Sequence, residues 1–460
     1  MRVESRRLSL GLAAVAVGLT FVLVASSAIA ATKFKRIDGF NEPSTPDNLD
    51  KVGILKVGPK NAENVLVLNP GTSASSAYFR PLAQFVVSET NGWQVWAVER
   101  RENQLEDHSM VDAVKQGDAT TQELFNYYLG YINDPSVTTH FQGVPDADVP
   151  FARQWGMRTT VEDLRRVVKK AGKLGGEVVL GGHSLGGSIT TAYATWDFAG
   201  KPGAKDLSGL VYIDGGSNTT PITPEDASES LGELQNATPW LTFGGIAAPF
   251  AGLFNVVGST IAHEQPDAPS ILQAWPLLPA NLKPPVPATS EAGYGFALDT
   301  ETSPPGLRAA QAHLGRLAAS GDPRPWDQAG EITPIQRYAD MFSGTGLKGL
   351  DGTAWYHPQR LTLDAGAVAA GNANPAQSVL DVHATHGADL GRIPIYAFGA
   401  SLGGQRVLDA ATALATQSGV PARKLTLLNR ETTYAHNDPN SAFPKNDFVK
   451  KLVPFLNKID

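Results

Sequence analysis

Short runs of consecutive apolar residues alternate along this chain with longer stretches in which apolar residues return every three or four positions. Consecutive apolar residues bury both faces of a strand, and a period near 3.6 buries one face of a helix. KFKRI and KVGILKV read as early strands. Val65-Leu66-Val67-Leu68 is a buried strand running into a loop at Asn69-Pro70-Gly71, followed by a helical segment, YFRPLAQFVV, and a strand from Trp93 to Val98. Thr159-Thr160-Val161-Glu162 has the spacing of a capping box and predicts the start of an amphipathic helix, VEDLRRVVKKAGKL. Val178-Val179-Leu180 is the next strand, SITTAYATWDF a helix, and Leu210-Val211-Tyr212-Ile213 a further strand. The rhythm resumes near residue 393 with IPIYAF, the helix VLDAATALAT, the strand KLTLLN and a terminal helix, FVKKLVPFL. Alternating strands and helices predict an α/β fold with a mostly parallel sheet flanked by helices. Residues 215–392 break that rhythm and predict a cap inserted after the sixth strand.

The first 30 residues stand apart. Three arginines lie within MRVESRR, an uncharged apolar stretch begins at Leu8, and Ala28-Ile29-Ala30 offers small residues at a cleavage position. This is the pattern of a secretory signal peptide cleaved near Ala30. The alternative is an uncleaved anchor, because the stretch is long enough to span a bilayer. The expected organisation is therefore a signal peptide (1–30), a first core segment (31–214), a cap (215–392) and a second core segment (393–460). The mature protein is expected to be secreted or extracytoplasmic, with no stable membrane span.

Composition narrows the chemistry. The 460 residues include no cysteine, which removes thiol nucleophiles, disulfides and thiolate-bound metals. The formal charge of −7 offers no basic face for nucleic acid.

Gly182-His183-Ser184-Leu185-Gly186 is a G-x-S-x-G motif between a short apolar strand and a helix. A serine held in a sharp strand-to-helix turn projects its hydroxyl above the sheet, and the flanking glycines let the neighbouring backbone pass. Gly399-Ala400-Ser401-Leu402-Gly403 repeats the motif. A serine nucleophile needs an acid and a histidine on later strand ends, and only one strand follows Ser401, which makes Ser184 the choice. His436 lies after the last strand, where a general base belongs. Of the other histidines, His183 is expected to pack around the elbow and His357 to lie in the cap. His383 and His386 sit three apart with no third metal ligand evident.

The elbow at Ser184 and the late His436, in a strand–helix alternation over roughly residues 50–215 and 390–460, resemble the α/β-hydrolase superfamily, in particular its serine esterases and lipases. The resemblance implies Ser184 as nucleophile and His436 as base, with the backbone amides of Leu185 and Thr72 as oxyanion hole; Ser73 is the other option for the second amide. Most members place the acid after the penultimate strand, where this chain has AFGASLGGQRV. Some place it one strand earlier, which implies Asp214, with Asp409 in reserve; Asp438 reads as a turn residue. In the cap, Trp240, Phe243, Phe250 and Phe254 either line an acyl pocket or form the cap's own core. The function so implied is an exported hydrolase of carboxylic esters acting on a small-molecule or lipid-like substrate, without cofactor or metal. The alternatives are an acyltransferase using the same triad and a non-catalytic binding protein on the same scaffold. A haloalkane dehalogenase is disfavoured, since that chemistry needs an aspartate at the elbow.

Overall fold

The computed structural model describes residues 31–243, 245–391 and 393–459. The signal peptide expected in residues 1–30 lies outside them.

The alternating segments form one eight-stranded sheet. Its strands are β1 (Thr32–Asp38), β2 (Lys51–Val57), β3 (Asn64–Asn69), β4 (Trp93–Glu99), β5 (Val178–His183), β6 (Gly209–Ile213), β7 (Ile395–Gly399) and β8 (Leu425–Asn429), in the order β1-β2-β4-β3-β5-β6-β7-β8. β2 runs antiparallel to both β1 and β4, and every pair from β4 to β8 is parallel. β4 and β5 are buried along their whole length, which explains why most of their residues are apolar.

Side chains alternate between two cores, one on each face. Val65, Val67, Trp96 and Leu180 pack with helices α2 (Met157–Gly172), α3 (Leu185–Thr195) and α7 (Gln405–Gln417). Leu66, Leu68, Val95 and Val179 pack with α1 (Arg80–Glu89) and α8 (Asp447–Leu456). In α2, Met157, Val161, Leu164 and Val168 supply one buried stripe at helical spacing.

Residues between β6 and β7 include α4 (Phe250–Glu264), α5 (Ser290–Leu298) and α6 (Ile335–Ser343). They share the sheet's cores: Tyr294, Tyr338 and Met341 pack with Phe79 and Leu82, and Leu361 and Leu380 pack with Ile189. A third apolar cluster joins Trp240, Leu253 and Trp355 to Leu124, Tyr128 and Trp155. The stretch between β4 and α2, to which the sequence pattern assigned nothing, therefore belongs to the same layer as the insertion. No helix among the described residues is long and apolar enough to cross a membrane.

Two helix boundaries differ from expectation: α3 stops at Thr195, before the Trp196-Asp197-Phe198 expected to continue it, and α2 starts ahead of its expected cap. α2 begins at Met157, after Gly156, with no side-chain cap of its own. Its first amide donates to Asp364 Oδ2 at 2.9 Å. Thr159 and Thr160 already lie inside the helix, and their hydroxyls bond back to the carbonyls of Gln154 and Gly156 at 3.2 and 3.0 Å. A carboxylate from the inserted segment replaces the expected local capping box.

Candidate active site

β5 ends at His183 and α3 begins at Leu185, so Ser184 alone makes the turn. Its backbone sits at φ 55° and ψ −124°, a region that non-glycine residues rarely occupy. The turn is that tight because backbones close in behind it: a side chain on Gly186 would collide with the carbonyl of Asn69, and one on Gly182 with the backbone of Gly186. Seven non-glycine residues among those described have positive φ, and Ser73 (53°), Ser184 and Asp214 (43°) are three of them. Strain gathered in one place is a mark of functional sites.

Asp214 follows β6 directly and is fully buried. Its Oδ2 lies 2.6 Å from His436 Nδ1. The carboxylate also accepts four backbone N–H groups: Ala400 at 2.6 Å, Gly403 at 3.0 Å and Gly404 at 3.1 Å on Oδ1, and Leu402 at 3.2 Å on Oδ2. The second G-x-S-x-G loop is therefore a nest of amides around an anion. Burial pushes the Asp214 carboxyl up, but the bond and charge of His436 and the Ala400 amide outweigh it and hold it below the usual carboxylate range. Ser401, in the same loop, is exposed and its amide donates to the carbonyl of Tyr434 at 2.9 Å. Asp409 is exposed on α7 and bonds to Gln405, so it has no part in this cluster.

The His436 loop is tied from several sides. His183 Nε2 lies 2.9 Å from the carbonyl of His436, with the two rings 4.2 Å apart. Burial, followed by the neighbouring His436, lowers the His183 imidazole to about 3, which keeps it neutral with the proton on Nε2. The packing role expected for His183 is what its surroundings provide. Tyr78 donates to Asn437 Oδ1 and accepts from Asn440 Nδ2, both at 2.6 Å. Asp438 is more than a turn residue: it is fully buried and accepts from the amides of Ala435 at 2.7 Å and His313 at 3.0 Å and from the Thr333 hydroxyl at 2.9 Å. Its Oδ2 also lies 2.6 Å from His313 Nδ1, so the histidine loop is anchored to the insertion.

The loop after β3 approaches the elbow closely: a side chain on Gly71 would come within 2.8 Å of Ser184 Cβ. Thr72 follows and lines the same cavity as Ser184. Ser73 lines it too, but its amide is engaged, donating to His357 Nδ1 at 3.4 Å. Leu185, the first residue of α3, presents its backbone beside Ser184 while its side chain packs into the core.

A cavity of about 380 Å³ opens over Ser184 and His436. Ser184, His436, Thr72 and Asn437 line it together with residues of the insertion, mostly apolar ones such as Leu241, Phe243, Phe254, Leu272 and Leu298 but also Asn255 and Gln273. Of the four aromatic residues in question, Phe243 and Phe254 line the cavity. Trp240 instead packs on Trp155 and Tyr356 at 6.3 and 5.2 Å, and Phe250 packs against that same cluster. Phe254 packs against that cluster as well, so it serves both readings, Phe243 serves the first alone, and Trp240 and Phe250 serve the second.

Elsewhere, Glu106, His108 and Asp351 bring three donor atoms within 4.8 Å of one another. Their atoms are already engaged: Asp351 accepts from Thr353 N, Thr353 Oγ1 and Trp355 Nε1 at 2.6, 2.6 and 3.0 Å and pairs with His108 Nε2 at 2.9 Å, and Glu106 accepts from Trp355 N at 2.8 Å. That cluster shapes residues 351–355, whose Ala354 amide donates to Ser73 O at 2.9 Å beside the loop after β3. His383 and His386 pair separately with Asp381 and Asp389, at 2.8 and 2.7 Å.

No known family profile matches the sequence, and no curated protein is significantly similar to it. Solved structures are similar in outline. A provisionally assigned lipase from Sulfolobus solfataricus matches with a TM-score of 0.49 and 15% identity, over 94% of this chain and 95% of that one. A soluble variant of the Saccharomyces cerevisiae monoglyceride lipase matches with 0.39 and 10%, over 94% and 96%. The epoxide hydrolase of Vigna radiata matches with 0.41 and 14%, over 93% and 98%. The strand order with its antiparallel β2, the elbow after β5 and the insertion between β6 and β7 are features of the chain itself, and they make this an α/β-hydrolase fold.

Proposed function

We propose that the protein is a serine hydrolase of carboxylic esters, with Ser184 as nucleophile, His436 as base and Asp214 as acid. The observation that carries the reading is the buried Asp214–His436 pair opening onto the same cavity as a serine at positive φ. Asp214 engages Nδ1 of His436, so Nε2 is the ring nitrogen free to exchange a proton with the Ser184 hydroxyl. Ser184 Oγ attacks the ester carbonyl carbon, its proton passes to His436, and the carbonyl π electrons move onto oxygen. The amides of Thr72 and Leu185 receive that charge, at the amino terminus of α3 where the helix dipole favours an anion. Collapse of the adduct expels the alcohol, which takes the proton from His436; water then repeats the sequence and frees the acid. This cycle needs no cofactor.

The predominantly apolar side chains that line the cavity with Ser184 suit an ester with an aliphatic or aromatic acyl group. Turnover of p-nitrophenyl esters tests the assignment. Wild-type protein is expected to hydrolyse them, Ser184→Ala to fall to background, and Asp214→Asn to lose about 10³- to 10⁴-fold in kcat. Activity surviving Ser184→Ala would remove the proposal. Export is part of the same reading: mature protein recovered from outside the cytoplasm should begin near Ala31, and a chain retaining residues 1–30 would argue for an anchor instead.

A further inference from the structure

The first side chain after β4 does something that the triad does not account for. Arg100 is buried, 5% exposed, and its guanidinium reaches across to the loop that follows β3. Nη1 donates to Pro70 O at 3.0 Å, and Nη2 to Gly71 O at 3.1 Å and Ala74 O at 3.2 Å. Nε donates to Glu102 Oε1 at 2.5 Å, which fixes the fork from behind. Nη2 also lies 3.3 Å from His357 Nδ1.

We propose that Arg100 is a positioning residue for the oxyanion hole, gripping three carbonyls of the loop so that the Thr72 N–H points at the reacting oxygen. The inference rests on the proposed esterase reading. Its physical core is the planarity of the peptide group: Gly71 C=O and Thr72 N–H belong to one plane and point in opposite directions. A donor held on Gly71 O therefore sets the direction of Thr72 N–H, and a cationic donor also strengthens that N–H dipole. Further along, residues 352–354 hold the same loop, with Ala354 N donating to Ser73 O at 2.9 Å and Ser75 N to Gly352 O at 3.2 Å, but the Pro70 and Gly71 carbonyls lie before those bonds. The Ala74 amide reaches Gly71 O at 3.4 Å, Pro70 has no N–H, and Ser73 sits at φ 53°.

His357 completes the clamp. Burial and the Arg100 charge keep its imidazole neutral. Nδ1 can therefore accept, with Nε2 beside Thr362 Oγ1 at 3.1 Å. By taking the Ser73 amide, it leaves the Thr72 amide for the oxyanion. A purely structural role explains the arrangement poorly. A buried ion pair such as Arg100–Glu102 is a weak source of stability, and an apolar pair would fill the space with less desolvation. What an apolar pair cannot do is hold three carbonyls in a fixed fan.

The test uses the full-length mature protein and two variants. Arg100→Lys keeps the charge beside Glu102 but not the planar fork. The paired change Arg100→Met with Glu102→Gln removes both charges, so neither is left buried alone. Five quantities are read: kcat and KM for a p-nitrophenyl ester, inhibition by a trifluoromethyl ketone, retention of an environment-sensitive apolar dye in the cavity, and thermal melting. The ketone forms an anionic tetrahedral adduct, whereas the dye makes no use of the oxyanion hole. Both variants are expected to lose about 10- to 100-fold in kcat with KM within about threefold, less than deletion of a donor outright. Ketone affinity should fall in proportion to kcat/KM while dye affinity stays level. Wild-type kcat and ketone affinity in both variants, with Ser184→Ala inactive, would overturn the proposal and leave the esterase reading standing. Parallel loss of dye binding, ketone binding and melting temperature in both variants would reduce Arg100 to a structural role and also overturn it. A wild-type protein that neither hydrolyses the ester nor binds the ketone would overturn the esterase reading itself, and this proposal with it.

Discussion

The charge at the centre of the site belongs to a residue that sequence chemistry singled out on slender grounds. Asp214 is a carboxylate at the exit of a strand, and nothing in the local pattern shows that the loop 399–404 would deliver four amides to it. The convergence is tertiary, made by neighbouring strand ends. The repeated G-x-S-x-G motif, which reads as a competing elbow, is the other half of that arrangement. Residue-scale electrostatics also gives a pH prediction. His183 titrates at about 3 in the folded protein against 6.5 ordinarily, because burial disfavours its charged form. The unfolded chain therefore binds the extra proton first, so this contribution to stability is complete above about pH 6.5 and is lost as pH falls toward 3. Other groups titrate in the same range, so the informative quantity is the difference between wild type and His183→Gln, whose amide can still donate to the His436 carbonyl. Urea unfolding should show that the wild-type advantage shrinks by up to about 1.4 kcal/mol per pH unit between pH 6.5 and 5. A difference independent of pH would mean that His183 is not held neutral.

At the scale of elements, the strands were legible because β3, β4 and β5 are covered on both faces and must be apolar at nearly every position. α3 and α7 were legible as helices for the same reason, since each packs an apolar stripe against the sheet. The start of α2 was not. Thr159 and Thr160 mimic a capping box, but Asp364, more than two hundred residues away, takes the first amide and also bonds Arg360 Nε at 2.6 Å. Local rules cannot see a cap supplied from so far along the chain. Glu162→Ala, which deletes the N3 carboxylate that the expected box would need, should accordingly change stability by less than about 0.5 kcal/mol. Asp364→Ala should cost roughly 2–4 kcal/mol, because it strands both a helix amide and a largely buried guanidinium. Equal effects in chemical denaturation would restore the capping box.

For the whole molecule, the insertion between β6 and β7 was visible as broken rhythm, yet its bounds concealed how it is built. It shares both cores of the sheet and a third cluster with residues 111–155, a stretch whose loops and short helices carry no strong periodicity. Arg100 escaped notice for a related reason, since a single arginine after a strand has no local signature of the three carbonyls it will meet. The division of labour among the apolar residues is testable. Phe254→Trp, at the cavity wall, should cut kcat/KM for long-chain esters about tenfold more than for short ones. Trp240→Ala, in the third cluster, should cost about 3–5 kcal/mol of stability and leave the chain-length ratio unchanged. A chain-length shift in the tryptophan variant alone would reverse these roles.

All of this rests on one oxygen atom. Treating the mature protein with a fluorophosphonate and mapping the adduct by peptide mass spectrometry tests that atom directly. A single stoichiometric label is expected on Ser184, lost in Ser184→Ala and kept in Ser401→Ala; a label on Ser401, or a protein that remains unlabelled, would contradict the assignment of the nucleophile.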